Sequence, residues 1–350
     1  MKIMLTGGGT LGPVTPLIAV VEALRLDDSH VEFVWVGTPH GPEAEVVLAA
    51  GISFLALSVP KLTRHAPARW IGIPFGLVLS CVRSLTLLRK EKPDVILSAG
   101  GYVSVPIIWM ATVLGIPSWI HQQDVRAGLA NKLMAPFADR ISVAWEKSLA
   151  DFDSEKTIYL GNPVRASLFF GSRDRGLQAF SFLNSNLTIL IMGGGTGSSW
   201  INDVIGRIGS ELEMNANVLH ITGVGKSSTL THSVELVSDG MADVFAMADV
   251  VICRAGMGTI SELAALKKSA IIIPMPNSHQ EDNARILDEC GSAIILHQSQ
   301  TTPQMLLTNV IRLLDDEKKR FELGQRLHHL LKTDRVAETL AHHLIVLAKK

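Results

Sequence analysis

His121-Gln122-Gln123-Asp124 sets an imidazole and a carboxylate three positions apart directly after the apolar run PSWI, so both would emerge at the carboxyl end of a strand. Either group could take a proton from an attacking hydroxyl. A single histidine after a strand also serves as a hydrogen-bonded structural residue. Gly7-x-Gly9-x-x-Gly12 follows an apolar run and opens a helical pattern, the context in which backbone N–H groups and a helix N-terminus cradle a diphosphate. A second loop, Gly193-Gly194-Gly195-Thr196-Gly197-Ser198, has serine where the third fingerprint glycine would fall, yet it still aims a helix start at an anion. For either loop alone, a tight strand-to-helix turn without a ligand is the simpler alternative.

Three further clusters sit at similar strand ends. Arg254 to Glu262 (RAGMGTISE) follows DVVIC; here Thr259-x-x-Glu262 fits a capping box, in which the glutamate only returns to a backbone N–H. Alternatively Glu262 accepts from two vicinal hydroxyls of a ribose, while Gly256 and Gly258 let a base or phosphate approach the backbone. His279-Gln280-Glu281-Asp282-Asn283-Ala284-Arg285 follows SAIIIP, and is either a ligand-facing polar edge or a solvated helix start with acidic first-turn residues. Asp151-Phe152-Asp153 looks like a DxD metal motif but lacks neighbouring ligands, so it reads as a surface turn and no metal site is expected.

Short β-type runs must position these clusters. KIMLT, VEFVWVG, DVILS, PSWIH and RISVA in the first half, then LTILIM, NVLHIT, DVVIC and SAIIIP in the second, alternate with helical patterns. Such alternation builds parallel sheets covered by helices. The two halves open alike, strand then glycine loop then amphipathic helix, which implies two doubly wound α/β domains in tandem. Asn162-Pro163 favours a turn, placing the boundary after Arg165: residues 1–165 form one domain and 166–350 the other, with the last helix able to pack on either. A nicotinamide site would want an acid at the end of the second strand, where VEFVWVG ends in Gly37 and Thr38.

At 350 residues the chain is long enough for two cores, and 32 Lys+Arg against 33 Asp+Glu exclude nucleic-acid binding through overall basicity. Cys81, Cys253 and Cys290 lie far apart, which excludes a disulfide framework or thiolate zinc site and fits a reducing cytoplasm. MKIMLTGGGT meets glycines too early for a signal peptide, so the chain is read as starting there. Val95 to Ile120 carries no charge over a bilayer-spanning length, but Gly100, Gly101, Pro106, Gly115 and Pro117 break it into strand, helix and strand. Trp70 to Val82 (WIGIPFGLVLSCV) is apolar and rimmed by Lys61, Arg64, Arg69, Arg83, Arg89 and Lys90. It reads equally as a buried core helix or as a segment lying in a lipid interface.

Taken in order, TGGGTLGPVTPLIAV, KPDVILSAGGYVSVPIIWMATVLGIPSWIHQQD, AGLANK, GNPVR, MGGGTGSSWIN and DVVICRAGMGTISELAALKKSAIIIPMP followed by HQEDNAR resemble the MurG family over nearly the whole chain. This family of N-acetylglucosaminyltransferases belongs to the GT-B superfamily, and the resemblance implies two Rossmann-like domains facing across a cleft. It implies transfer from UDP-N-acetylglucosamine to undecaprenyl-linked lipid I, giving lipid II for peptidoglycan synthesis, and with it cell-wall growth, shape and division. By position, the donor would meet Arg165, Gly195, Thr196, Gly197, Ser198, Arg254, Gly256, Met257, Gly258, Thr259, Glu262, Gln280 and Asn283. The acceptor would meet Gly8, Gly9, Thr10, Gly12, Gly100, Gly101, Tyr102 and Gln122, and Arg69, Trp70, Ile73, Phe75 and Leu79 would dock on an anionic membrane from its cytoplasmic face.

The chain departs from the family where the chemistry is expected. Pro13 replaces a histidine of the first loop, His121-Gln122-Gln123-Asp124 replaces His-Glu-Gln-Asn, and Gly195-Thr196 stands for Ser-Gln. The carboxylate has moved along the strand-end motif, which makes Asp124 the candidate general base, with His121 beside it, in an inverting displacement. No tightly bound cofactor is expected; assistance by a divalent cation stays open. The alternatives are a non-catalytic nucleotide-sugar or lipid-pyrophosphate binder, a GT-B enzyme with another acceptor, and a UDP-N-acetylglucosamine epimerase.

Overall fold

The computed structural model describes residues 1–27, 30–60, 73–183, 186–237 and 239–349. The chain divides into two compact units, one formed by Met1–Arg165 with Arg335–Lys350 and the other by Ala166–Asp334. The first unit runs β1 (Lys2–Thr6), α1 (Val14–Asp27), β2 (Glu32–Gly37), α2 (Glu43–Ala49), β3 (Ser53–Ala56) and α3 (Ile73–Glu91). It continues through β4 (Val95–Ser98), α4 (Ser104–Leu114), β5 (Ser118–Gln122), α5 (Leu129–Met134), β6 (Arg140–Val143) and β7 (Thr157–Tyr159). The second runs α6 (Arg173–Ala179), β8 (Thr188–Met192), α7 (Ser199–Asn215), β9 (Asn217–Ile221), β10 (Ser233–Val234), α8 (Met241–Met247) and β11 (Val250–Cys253). Then come α9 (Met257–Ala265), β12 (Ser269–Ile272), α10 (Gln280–Glu289), β13 (Ile294–Ile295), α11 (Pro303–Asp315) and α12 (Glu317–Leu330), before α13 (Val336–Ala348) returns to the first unit.

Each unit holds one parallel sheet, ordered β3-β2-β1-β4-β5-β6-β7 and β10-β9-β8-β11-β12-β13. All nine runs read as strands from sequence are strands. The ones missed, β3, β7, β10 and β13, are short and lie at or toward the sheet edges, where half-exposed side chains weaken the apolar signal. Central strands are buried on both faces, which is why VILS, SWIHQ and VVIC read as continuous apolar runs or tolerate only satisfied polar residues. Both sheets reverse direction beside their first strand, at β1/β4 and β8/β11, and ligands of doubly wound folds bind at the carboxyl ends of such switch points. The glycine loops after β1 and β8, the Arg254 loop after β11 and the Gly100-Gly101 turn after β4 lie at these switch points, while the His121 and Gln280 clusters follow the next strands out, β5 and β12.

Val95 to Ile120 is β4, α4 and the start of β5, with α4 ending on Gly115 in the left-handed region. Among the described residues, no helix is long and apolar enough to cross a membrane.

Candidate active site

In the first unit the glycine loop packs backbone against backbone. A Cβ at Gly101 (φ +97°) would stand 2.8 Å from the Gly8 carbonyl oxygen, and one at Gly9 (φ +85°) 3.0 Å from the Tyr102 ring. Beneath them lies a residue that sequence reading passed over. Glu43, fully buried at the start of α2, accepts through Oε1 from the backbone N–H of Gly9 (3.2 Å), the N–H of Thr38 (2.7 Å) and the Thr38 hydroxyl. Its other oxygen, Oε2, is buried without a hydrogen-bond partner among the described residues. A Cβ at Gly8 or Gly41 would lie 2.2 or 1.9 Å from this carboxylate, so the signal was Gly41-x-Glu43 rather than a residue on β2 itself. An acid does reach the end of β2, from the following helix, but sealed under the loop where no ribose can meet it.

The expected cradle is corrected in part. Gly8 is buried and the Gly9 amide is already taken by Glu43, so of the first-loop positions Thr10 and Gly12 are the exposed ones. Gly100 (φ +100°) and Gly101 stay at the strand end, where the Ser98 hydroxyl accepts from Gly100 N–H and the Ser104 hydroxyl donates to its carbonyl. Burial, and secondarily the charge of Glu43, pushes the Tyr102 phenol up, keeping it protonated.

His121 is not a base that a substrate can reach. It is fully buried, with Nδ1 2.8 Å from Ser142 Oγ and Nε2 2.8 Å from Asn162 Oδ1, and burial pushes it down to about 4. Trp119 Nε1–H donates to the same Ser142 oxygen, so a neutral ring that accepts at Nδ1 and donates at Nε2 satisfies the whole chain. Gln122 is likewise buried and occupied: Nε2 donates to the carbonyls of Asp124 and Arg126, and Oε1 accepts from Asn131. It cannot contact the acceptor as the resemblance implied. Asp124, half-buried just beyond β5, keeps its place at the strand end. Asp151 takes the Ala127 N–H, and Asp153 closes a turn on Glu155 N–H, which gives the DxD pair structural employment.

In the second unit Ser198 caps α7, accepting from Ile201 N–H at 3.3 Å. Gly197 (φ +66°) crosses so close to the next strand's loop that a Cβ would stand 2.0 Å from the Thr222 carbonyl oxygen. Gly194, Gly195 and Thr196 stay at the surface. Lys226, also missed from sequence, donates from Nζ to the Thr196 carbonyl at 2.8 Å and brings a cation to this helix N-terminus. Arg254 is a tie rather than an open phosphate ligand: its guanidinium donates to the carbonyls of Ile273 and Pro274, to Ser198 Oγ (2.7 Å) and to Gln298 (2.8 Å).

α9 starts at Met257 with Gly256 as its N-cap. Thr259 therefore falls within the first turn and Glu262 in the second, and the capping box cannot form. Gly256, with open space around its Cα, and Gly258 bring the backbone to the surface at this helix start, ahead of the buried Glu262. Asn283 is a correction, since it is fully buried and donates to the Ala255 carbonyl at 3.1 Å, bracing that loop instead of facing a sugar. Gln280 opens α10, accepting from Met275 N–H. Arg165 is half-buried at the last residue of the first unit's main segment.

On α3, Phe75 (79% exposed), Val78 (63%), Leu79 (41%) and Val82 (55%) share one outward face, while Ser80, Ser84 and Leu88 face in. The described part is no core helix. Ile73, half-buried, begins it; Arg69 and Trp70 lie outside the described residues.

Two family models match, the Glycosyltransferase family 28 N-terminal domain over residues 3–143 and the Glycosyltransferase family 28 C-terminal domain over 188–339. The UDP-N-acetylglucosamine-N-acetylmuramyl-(pentapeptide) pyrophosphoryl-undecaprenol N-acetylglucosamine transferase of Clostridium kluyveri is 34% identical over 322 residues, covering 89% of this chain and 91% of that one. The chain belongs to glycosyltransferase family 28. The same-named transferase of a Thermoanaerobacter species is 30% identical over 95% of this chain and 96% of its own length. Among solved structures, Acinetobacter baumannii MurG superposes with a TM-score of 0.71 at 24% identity over 99% of both chains. A Neisseria meningitidis UDP-GlcNAc 2-epimerase bound to UDP-GlcNAc also reaches 0.71, at 12% identity over 99% of this chain and 100% of its own. Identities this low speak to the fold alone, which family 28 shares with the epimerase; the doubly wound two-domain reading and the family resemblance both hold.

Proposed function

We propose that this family 28 chain transfers N-acetylglucosamine from UDP-N-acetylglucosamine to the C4 hydroxyl of lipid I, forming lipid II with inversion at the anomeric carbon. The observation that carries the reading is identity of 30–34% along nine-tenths of the chain to transferases whose names state that donor and that acceptor. The donor binds the second unit, its diphosphate at the half-buried Gly194-Gly195 turn, the exposed Thr196 and the N-terminus of α7, its ribose at Glu262. Helix N-termini and Lys226 offset the negative charge that grows on departing UDP. The acceptor diphosphate lies on the first unit at Thr10, Gly12 and the Gly100-Gly101-Tyr102 turn. Asp124 takes the proton of the attacking hydroxyl, which adds to the anomeric carbon as the bond to UDP breaks on the opposite face, so no covalent enzyme intermediate forms. The scheme needs no tightly bound cofactor, and a divalent cation is at most an assistant to UDP departure. The apolar face of α3, continued by Arg83, Arg89 and Lys90, docks the chain on an anionic membrane at its cytoplasmic face, where a lipid-linked acceptor is presented.

UDP release with purified protein, UDP-N-acetylglucosamine and lipid I tests the proposal. Turnover that requires lipid I supports it, acceptor-free turnover points to an epimerase, and donor binding without turnover points to a binder. Asp124→Asn should lower kcat by about 100- to 10,000-fold while leaving donor affinity nearly unchanged. Wild-type turnover in that variant would remove Asp124 from the base's role.

A further inference from the structure

The turn that carries Asp124 is fastened residue by residue. From β5, Gln122, only 2% exposed, sends Nε2 to the Asp124 carbonyl at 2.7 Å and to the Arg126 carbonyl at 3.0 Å, while its Oε1 accepts from Asn131 Nδ2 at 2.6 Å. Two carbonyl partners demand a donor, which fixes the amide's orientation and excludes a carboxylate of the same shape. From the other side, the short 3-10 helix Glu146–Asp151 supplies the buried Ser148 hydroxyl, which donates to the Val125 carbonyl at 2.7 Å. The Asp151 carboxylate accepts from Ala127 N–H at 3.0 Å. Three consecutive carbonyls, 124 to 126, and the amide that follows them are therefore all held by side chains from outside the turn. Loops left to themselves do not hold a side chain to the sub-ångström tolerance that proton transfer needs.

We propose that Gln122 and Asp151 are positioning residues for the transfer reaction, clamping the 124–127 turn so that the Asp124 carboxylate is preset toward the acceptor hydroxyl. The inference rests on Asp124 being the base. It assigns a use to the Asp151 carboxylate outside metal chemistry, and to an amide at position 122 that glutamate could not perform, since its oxygens would face two carbonyls.

The test is a double-mutant cycle read in kcat and in the KM for UDP-N-acetylglucosamine. Gln122→Glu should lower kcat about 100-fold, the cost of roughly an ångström of misplacement, with donor KM unchanged. Asp151→Ala, at an exposed position, should lower it less, on the order of 10-fold. In an Asp124→Asn background neither change should slow the residual rate further, a result that a merely structural role would not produce. Wild-type kcat in Gln122→Glu beside a crippled Asp124→Asn overturns the clamp alone, as does an equal loss in both backgrounds. Full activity in Asp124→Asn instead overturns the base assignment, and the clamp with it. If Gln122→Glu does not fold by circular dichroism, the Asp151→Ala cycle decides by the same criteria.

Discussion

Two histidines, one in each unit, occupy the same chemical setting. His121 lies between Ser142 and Asn162, His220 between Ser228 and Asn202, and burial pushes both down to about 4. An unfolded histidine titrates near 6.5, so between pH 6.5 and 4 the unfolded chain binds more protons than the folded one. The stability from keeping these rings neutral is therefore complete above pH 6.5 and drains away as pH falls toward 4, by on the order of 3 kcal/mol for His121 alone. Urea midpoints measured from pH 7.5 to 4.5 should fall, and His121→Gln should flatten part of that slope. An unchanged slope would mean that the ring is not held neutral. Glu262 makes the opposite kind of claim. With the capping box excluded by the helix start, Glu262→Ala should raise the donor KM by about one to two orders of magnitude, the loss of a charged hydrogen-bond acceptor of about 1.5–3 kcal/mol, and barely move kcat. Steady-state kinetics at saturating lipid I separate the two parameters.

At the scale of elements, strand ends and helix starts are where the reading from sequence was tested most sharply. The apolar runs located the strands, but whether Thr259 preceded α9 or lay inside it depended on a boundary three residues away, and that shift alone removes the capping box. The α3 face makes an element-level prediction. Phe75 and Val78 stand one turn apart on its exposed side, so Phe75→Asp with Val78→Asp should abolish co-sedimentation with anionic vesicles and leave UDP-N-acetylglucosamine binding in solution intact. Undiminished vesicle binding would remove α3 from the membrane contact.

For the whole molecule, the chain's last helix belongs with its first. Val336, Leu340, Leu344 and Leu347 of α13 pack in the core that also holds Val14, Leu17, Ile18, Val21 and Leu24 of α1. Four such side chains at about 2 kcal/mol each sum to roughly 8 kcal/mol, comparable with the whole stability of a typical domain. Truncation after Asp334 should thus unfold the first unit at ordinary temperature while the second keeps its fold and its affinity for UDP-sugar. Two calorimetric transitions in the full chain collapsing to one in the truncated chain would show it; an intact pair of transitions would refute it.

The sequence by itself determined two parallel α/β units, the glycine loops at their switch points, the family, and the strand-end location of Asp124. These follow from local patterns, apolar periodicity and fixed spacings, which survive without knowledge of neighbours. It could not reveal that Glu43 reaches under the first loop and occupies the Gly9 amide, that Gln122 spends its donors on carbonyls and Arg254 on carbonyls and the Ser198 hydroxyl, or that His121 and Asn283 are sealed from solvent. Each of those facts depends on which polar group meets which across a packed interior. Burial obliges every such group to find a partner, and only the tertiary arrangement supplies the candidates.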